Sequence, residues 1–258
     1  MDGSVSSSGP RIVVKQTADD AAAFVAGLFK TIVCEAASAR GRCHVALAGG
    51  TTPRGLYGKL ADQATTGEVP WQQVEIFFGD ERDVPHDHVE SNYGMTQRTL
   101  LDHLPIPVAQ VHPMPAHSPD IQAAANEYEQ TIRNEVQAGS DKIPRFDLIL
   151  LGMGADGHVA SLFPAIEGLE ERKKLVLASF VPVLGRRRMT FTFPLINAAR
   201  NIIMLVTGQD KAEAVARLLG GDKKARKGLP AAGVAPKEGA LFMVLDAAAS
   251  RRTGLKPD

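Results

Sequence analysis

The segment 146–151 (FDLILL) constrains the fold more than any other part of the 258-residue chain. It is almost continuously apolar, which is typical of a parallel strand covered by helices on both faces. Similar apolar runs recur at 11–15, 43–48, 74–78 and 201–206, and Gly-containing turns and helical stretches follow several of them. This repetition predicts an α/β protein with a doubly wound, mainly parallel, Rossmann-like sheet and helices on both faces.

Three further patterns refine this expectation. Thr17 and Asp20 form a capping-box-like start for an Ala-rich helix that we expect to reach about residue 39. The strand predicted at 189–193 follows three arginines and is expected to be antiparallel or peripheral. Residues 79–92 are predicted to form a long polar loop.

The charge balance limits the classes of partner. Lysine and arginine number 29, as do aspartate and glutamate, so the formal net charge is zero. Proteins that bind nucleic acid or anionic membranes by bulk electrostatics usually carry a basic excess. We therefore expect neither as a partner, and no obligatory protein partner is indicated.

Cysteine usage and apolar run lengths predict the compartment. The two cysteines, Cys34 and Cys43, have no metal-binding spacing and are typical of ordinary thiols in a reducing environment. No run approaches the roughly 18 apolar residues that span a bilayer, and residues 1–10 are Ser/Gly-rich without the features of a secretory signal. We expect a cytoplasmic protein with a flexible tail at 1–10 and one domain at 11–258.

In a parallel sheet of this kind, ligands bind beyond the carboxyl ends of the strands. The first such position carries two glycines and two threonines before Pro53. Exposed backbone N–H groups and a helix dipole there would suit a phosphate, although a tight turn with Thr capping is an equally good interpretation. The candidate residues are Gly49, Gly50, Thr51 and Thr52.

The second position, after the run at 74–78, carries four consecutive charged residues and is closed by Ser91 and Asn92. It is either a solvated loop or part of a site. Arg82 could bind a phosphate through two hydrogen bonds, and Asp80 could orient a histidine or a water.

The third position is the most specific, because three glycines alternate with Asp156 and His158 directly after the 146–151 strand. A single histidine is more often structural than catalytic. Here the segment after His158 could start a helix, and its N-terminal dipole would favour the neutral imidazole that serves as a general base. Gly157 is also a candidate substrate contact.

The fourth position places Lys211 in the first turn of a helix expected at about 209–219, where a cation is unfavourable unless an anion lies nearby. An exposed lysine is the alternative. Arg188, the last of three consecutive arginines, is likewise either part of a solvated cluster or a second contact to an anion.

Taken together and in order, these segments resemble the glucosamine-6-phosphate isomerase/6-phosphogluconolactonase family, and its lactonases in particular. The resemblance rests on the stretches ALAGGTTP (46–53), FFGDERDVP (77–85) with SNYGM (91–95), FDLILLGMGADGHVASLFP (146–164), RMTFTFPLINAAR (188–200) and TGQDKAEAV (207–215).

This resemblance implies hydrolysis of 6-phospho-D-glucono-1,5-lactone, a fold shared with glucosamine-6-phosphate deaminase and ribose-5-phosphate isomerase, and no metal or organic cofactor. It gives His158 the catalytic position and places acidic site positions at Asp80 and Asp156. It implies substrate binding by Gly49, Gly50, Thr51, Thr52, Arg82, Asn92, Gly157, Arg188 and Lys211.

The expected mechanism is general-base activation of water by His158, with the oxyanion held by backbone N–H groups of 152–157 and the imidazole held by Asp80 or Asp156. A covalent route through Ser161 is disfavoured, because the chain has no GxSxG motif. Two alternatives are an isomerase or deaminase, whose pattern places Glu where this chain has Phe163, and a non-catalytic sugar-phosphate sensor.

Overall fold

A computed structural model describes residues 9–64, 67–220 and 223–258. Its centre is a seven-stranded sheet in which neighbouring strands are parallel. The mainly parallel α/β fold predicted from the apolar runs is therefore confirmed. Across the sheet the strands are β1 (Arg11–Lys15), β10 (Ala240–Asp246), β9 (Asn201–Val206), β6 (Leu148–Leu151), β2 (Cys43–Leu47), β3 (Val74–Phe78) and β5 (Val111–His112).

A second, three-stranded antiparallel sheet contains β4 (Asp80–Arg82), β8 (Arg186–Phe191) and β7 (Val176–Val181). The expected antiparallel strand is thus confirmed, and it starts early enough to include the three arginines. The prediction that residues 79–92 form a loop throughout is wrong at its start. Gly79 donates to Leu47 of β2 and accepts from Phe191 of β8, so the chain passes directly from one sheet to the other.

Helices connect the strands. The first begins at a complete capping box, in which Thr17 and Asp20 each accept a backbone N–H of the other residue, as predicted. The helices are α1 (Ala18–Arg40), α2 (Thr51–Ala64), α3 (Asn92–Thr99), α4 (Ile121–Glu135), α5 (Phe193–Ile196), α6 (Ala212–Gly220), α7 (Lys223–Arg226) and α8 (Ala247–Ser250).

The helix expected directly after His158 is absent. Residues 159–163 form a turn closed by a bridge between Val159 and Leu162. Pro164 disfavours the helical conformation of the preceding residue, and the Ser161 N–H donates to Thr190 Oγ1 rather than to a helical carbonyl. No helix dipole therefore acts on His158 from this segment.

Within the described residues, α1 is long and apolar enough, by length and composition alone, to cross a membrane. Its apolar side chains Val25, Phe29 and Val33 are instead buried in the core, where the helix contacts β9 and β10. The division into a tail and one domain stays a prediction, and residues 1–8 of that tail lie outside the described residues.

Replacing Thr17 by Ala should lower the free energy of unfolding by about 1 kcal/mol, because the first turn of α1 loses its cap. Urea denaturation of Thr17→Ala measures this loss. Thr31→Ala is the matched control, since Thr31 lies within the same helix and its hydroxyl donates only to Gly27 O. Equal effects at the two positions would contradict the assignment of the cap.

Candidate active site

A cavity of about 320 Å³ lies at the carboxyl ends of β2, β3, β6 and β9. Of the twelve residues predicted for the site, nine line it: Gly49, Gly50, Thr51, Thr52, Asp80, Arg82, His158, Arg188 and Lys211. The other three, Asn92, Asp156 and Gly157, do not line it. The topology therefore brings most of the predicted residues together although they are far apart in sequence.

The 49–52 loop presents backbone to the cavity. Gly50 has φ +101° with open space where a side chain would lie, and the 14-residue helix α2 begins at Thr51. Thr52 Oγ1 lies 3.0 Å from Thr207 Oγ1 at the end of β9, which fixes the loop against the neighbouring strand. Peptide N–H groups at the start of α2 and the helix dipole give this wall an affinity for anions.

Arg82 and Arg188 lie directly opposite each other on β4 and β8. The Nε atom of each is buried and has no hydrogen-bond partner among the described residues. Burial and the adjacent Arg82 guanidinium lower the pKa of Arg188. Two facing cations with unpaired donors are unfavourable unless an anion lies between them, so this wall is suited to bind a polyanionic group.

The two preceding arginines are neutralised by ion pairs. Arg186 pairs with Glu90, and Arg187 Nε lies 2.7 Å from Asp83 Oδ2. The cluster of three arginines is therefore divided, and Arg188 alone of the three lines the cavity.

Asp80 is held by neutral partners. Its Oδ2 accepts from Ser161 Oγ at 2.7 Å, and its main-chain oxygen accepts from Asn92 Nδ2 at 2.8 Å. Asn92 was expected to bind substrate, but it is fully buried, and its amide occupies the space where a side chain on Gly49 would lie. The Asn92 side chain therefore lies between β4 and the 49–52 loop and contacts both.

His158 is oriented by Asp156 rather than by Asp80. Its Nδ1 lies 2.6 Å from Asp156 Oδ1, which also accepts the His158 backbone N–H at 3.1 Å. Because an ionised carboxylate only accepts, this contact places the proton on Nδ1 and leaves a lone pair on Nε2. A side chain on Gly154 would collide with both residues, so glycine is required there.

Gly157 supports this turn from behind. It has φ +81°, and a side chain there would meet Leu229. Its carbonyl accepts from Ala231 N at 2.9 Å. The N–H groups of Gly154, Gly157 and His158 all donate within the turn, so these three groups are not available to an oxyanion as the sequence had led us to expect.

Lys211 reaches the cavity from a 3₁₀ turn, Gln209–Lys211, that follows β9. Its Nζ lies 2.8 Å from Asp210 Oδ2, whose side chain is largely exposed. A surface ion pair of this kind contributes little and exchanges readily for a stronger anionic partner. Lys211 is thus a third cation facing the cavity.

Two further residues support the site, and their sequence pattern alone does not mark either of them as a site residue. Glu81 is fully buried and accepts from Ser91 Oγ and from the backbone N–H groups of Asn92 and Tyr93, which caps α3. Phe163 lines the cavity and stacks on His158. Had residues 80–82 been predicted as a strand, the alternation of faces would have indicated that Glu81 points away from the cavity.

A larger cavity, of about 560 Å³, lies elsewhere and contains none of the predicted site residues. Two of its cations are ion-paired on its wall, Arg145 with Glu238 and Arg172 with Glu170. The smaller cavity carries unpaired guanidinium nitrogens and the His158–Asp156 pair, so it is the better candidate for catalysis.

Residues 16–243 match the family model described as glucosamine-6-phosphate isomerases/6-phosphogluconolactonase. The chain belongs to this family. The expected family membership is therefore confirmed over most of the sequence.

Curated relatives are similar over most of both chains. The 6-phosphogluconolactonase of Synechocystis is 39% identical over 216 residues, covering 84% of this chain and 87% of the relative. That of Homo sapiens is 41% identical over 220 residues, covering 84% and 83%.

Solved structures show the same architecture. The 6-phosphogluconolactonase from Trypanosoma brucei superposes with a TM-score of 0.82 at 29% identity, covering 94% of this chain and 98% of that one. A monomeric glucosamine-6-phosphate deaminase superposes with a TM-score of 0.80 at 19% identity, covering 94% and 99%, which shows the fold alone.

Inorganic phosphate should raise the melting temperature of the protein, because it binds the folded state through the facing arginines. Arg188→Gln should weaken this binding at least about tenfold, since it removes a charge-assisted contact. Thermal unfolding across a phosphate titration measures both effects. Arg187→Gln is the matched control, because Arg187 is paired with Asp83; equal weakening in the two variants would contradict the assignment.

Proposed function

We propose that this protein hydrolyses 6-phospho-D-glucono-1,5-lactone to 6-phospho-D-gluconate in the cytoplasm, the second step of the oxidative pentose phosphate pathway. The observation that carries the proposal is the His158–Asp156 pair in the same cavity as Arg82 and Arg188, whose Nε atoms have no hydrogen-bond partner among the described residues. The His158–Asp156 pair can activate water, and the two arginines can hold a phosphate. The family and the names of the curated relatives support the same reaction.

The distal phosphate is held by the 49–52 loop, Arg82 and Lys211, with Arg188 as a further cation. Binding energy from this non-reacting end orients the lactone carbonyl relative to His158. Each phosphate contact is made equally in the ground state and the transition state, so its loss should affect KM more than kcat.

At the reacting end, His158 Nε2 removes a proton from a water as the water oxygen bonds to C1 of the lactone. The carbonyl becomes an oxyanion, which requires hydrogen-bond donors at this end of the cavity other than the N–H groups of Gly154 and Gly157, because both of these donate within the turn. The C1–O5 bond then breaks as the His158 imidazolium returns its proton to O5. One water is consumed, the ring opens to a 5-hydroxyl, and C1 becomes a carboxylic acid.

Asp156 stabilises the imidazolium that forms during this cycle and keeps Nδ1 protonated at the start of it. The Ser161 hydroxyl donates a hydrogen bond to Asp80, and the residue is buried. Its role is therefore to hold the cavity wall rather than to attack the substrate.

His158→Ala should lower kcat for hydrolysis of freshly prepared lactone by at least about 10²- to 10⁴-fold, because general-base catalysis is lost. Binding of 6-phosphogluconate, measured by calorimetry, should stay within about twofold because the phosphate contacts remain. His103→Ala is the control, since that histidine is exposed, lies outside the cavity and has a ring nitrogen 3.2 Å from Arg98 O. Wild-type turnover in His158→Ala would refute the proposed mechanism, and binding without turnover in the wild type would indicate a sensor.

Asp156→Asn should lower kcat by about 10²-fold or more with little change in KM, because an amide can donate to Nδ1 and favour the wrong tautomer. Steady-state kinetics with the lactone test this. An unchanged kcat would show that Asp156 does not set the tautomer.

A further inference from the structure

Phe163 packs face to face with the catalytic imidazole. The ring centroids of Phe163 and His158 lie 4.1 Å apart with an interplanar angle of 24°, and Phe163 is 7% exposed. It carries no group that could take part in proton transfer, so any contribution to the reaction must act through His158.

We propose that Phe163 is a positioning residue that fixes the plane of the His158 ring and thereby the location of Nε2. This inference rests on the proposed function. The hydrogen bond to Asp156 restrains one edge of the imidazole but leaves it free to tilt. Nε2 lies on the opposite side of the ring and moves furthest when the ring tilts, and a planar partner prevents that motion.

The backbone around Phe163 is held in a disfavoured conformation. Ala160 has φ +49° and Ala165 has φ +62°, a region in which residues with a Cβ are uncommon. Such conformations persist only where the surrounding structure enforces them, and they concentrate at functional sites. Here they flank the four residues, 161–164, that bring the Phe163 ring over the imidazole.

The turn is anchored by buried polar contacts. The Ser161 N–H donates to Thr190 Oγ1 at 3.1 Å, and Ser161 Oγ donates to Asp80 Oδ2 at 2.7 Å. Both contacts join the turn to the antiparallel sheet, through β8 and β4. Leu162 is also fully buried, so burial and these two hydrogen bonds together restrain the backbone that carries the Phe163 ring.

The test compares variants that keep or remove the planar ring. Phe163→Leu and Phe163→Met should lower kcat about 10- to 100-fold with KM within about twofold, because misplacement of a catalytic group by about 1 Å can cost 10²-fold. Phe163→Tyr keeps the planar face and should retain kcat within about threefold. If Phe163→Leu and Phe163→Met both keep wild-type kcat, or if Phe163→Tyr loses as much as they do, the inference is overturned.

Phe77→Leu is the matched control. Phe77 also stacks on a histidine, His112, with centroids 4.3 Å apart and an interplanar angle of 15°, but it does not line the cavity. This variant should lose stability and keep kcat per folded molecule. A loss of kcat equal to that of Phe163→Leu would show that loosening the core is sufficient, which would overturn the inference.

A second readout separates this inference from the proposed function. Crystal structures of the substrate-free proteins should place the His158 ring in the same plane in the wild type and in Phe163→Tyr. In Phe163→Leu the ring should be tilted or should occupy more than one orientation. An unchanged, single ring orientation in Phe163→Leu would overturn the positioning role, whereas a wild type without lactonase turnover but with this difference would refute the proposed function alone.

Discussion

The buried carboxylate of Glu81 is the interaction on which the geometry of the cavity depends. It accepts from Ser91 Oγ and from backbone N–H groups of Asn92 and Tyr93 at 2.7 to 3.0 Å, so an ion that is costly to bury is satisfied by the start of α3. Because faces alternate along β4, fixing Glu81 towards α3 turns Asp80 and Arg82 towards the cavity.

The placement of side chains by the strands also explains how a protein of zero net charge can bind a polyanion. Its cations are placed by topology rather than by abundance. β4 supplies Arg82, β8 supplies Arg188 and the turn after β9 supplies Lys211. Elsewhere on β8, acidic residues pair with the neighbouring arginines, so the positive potential remains local to the strand ends. Local geometry, and not composition, therefore decides which charges act on a ligand.

The sequence was sufficient to predict the parallel sheet and the edge at which Gly49, Asp80, His158 and Lys211 meet, because apolar runs mark buried strands and ligands bind at their carboxyl ends. It was insufficient for β4, a three-residue strand of charged residues whose partner β8 lies about a hundred residues further along the chain. Such a strand has no local pattern to detect. The missing helix after His158 had a detectable cause, since Pro164 follows directly.

That missing helix changes how the proposed reactivity of His158 is explained. A helix dipole would have favoured the neutral imidazole through a distant field, whereas the structure uses direct contacts: Asp156 fixes the proton on Nδ1, and glycine at 154 makes room for the pair. The short contact between Asp156 and His158 constrains the direction in which the Nε2 lone pair points. A helix dipole would not constrain this direction. A turn held by Gly154, Gly157 and Ser161 is consequently better suited to general-base chemistry than the helix expected in its place, because proton transfer requires alignment as well as an appropriate charge state.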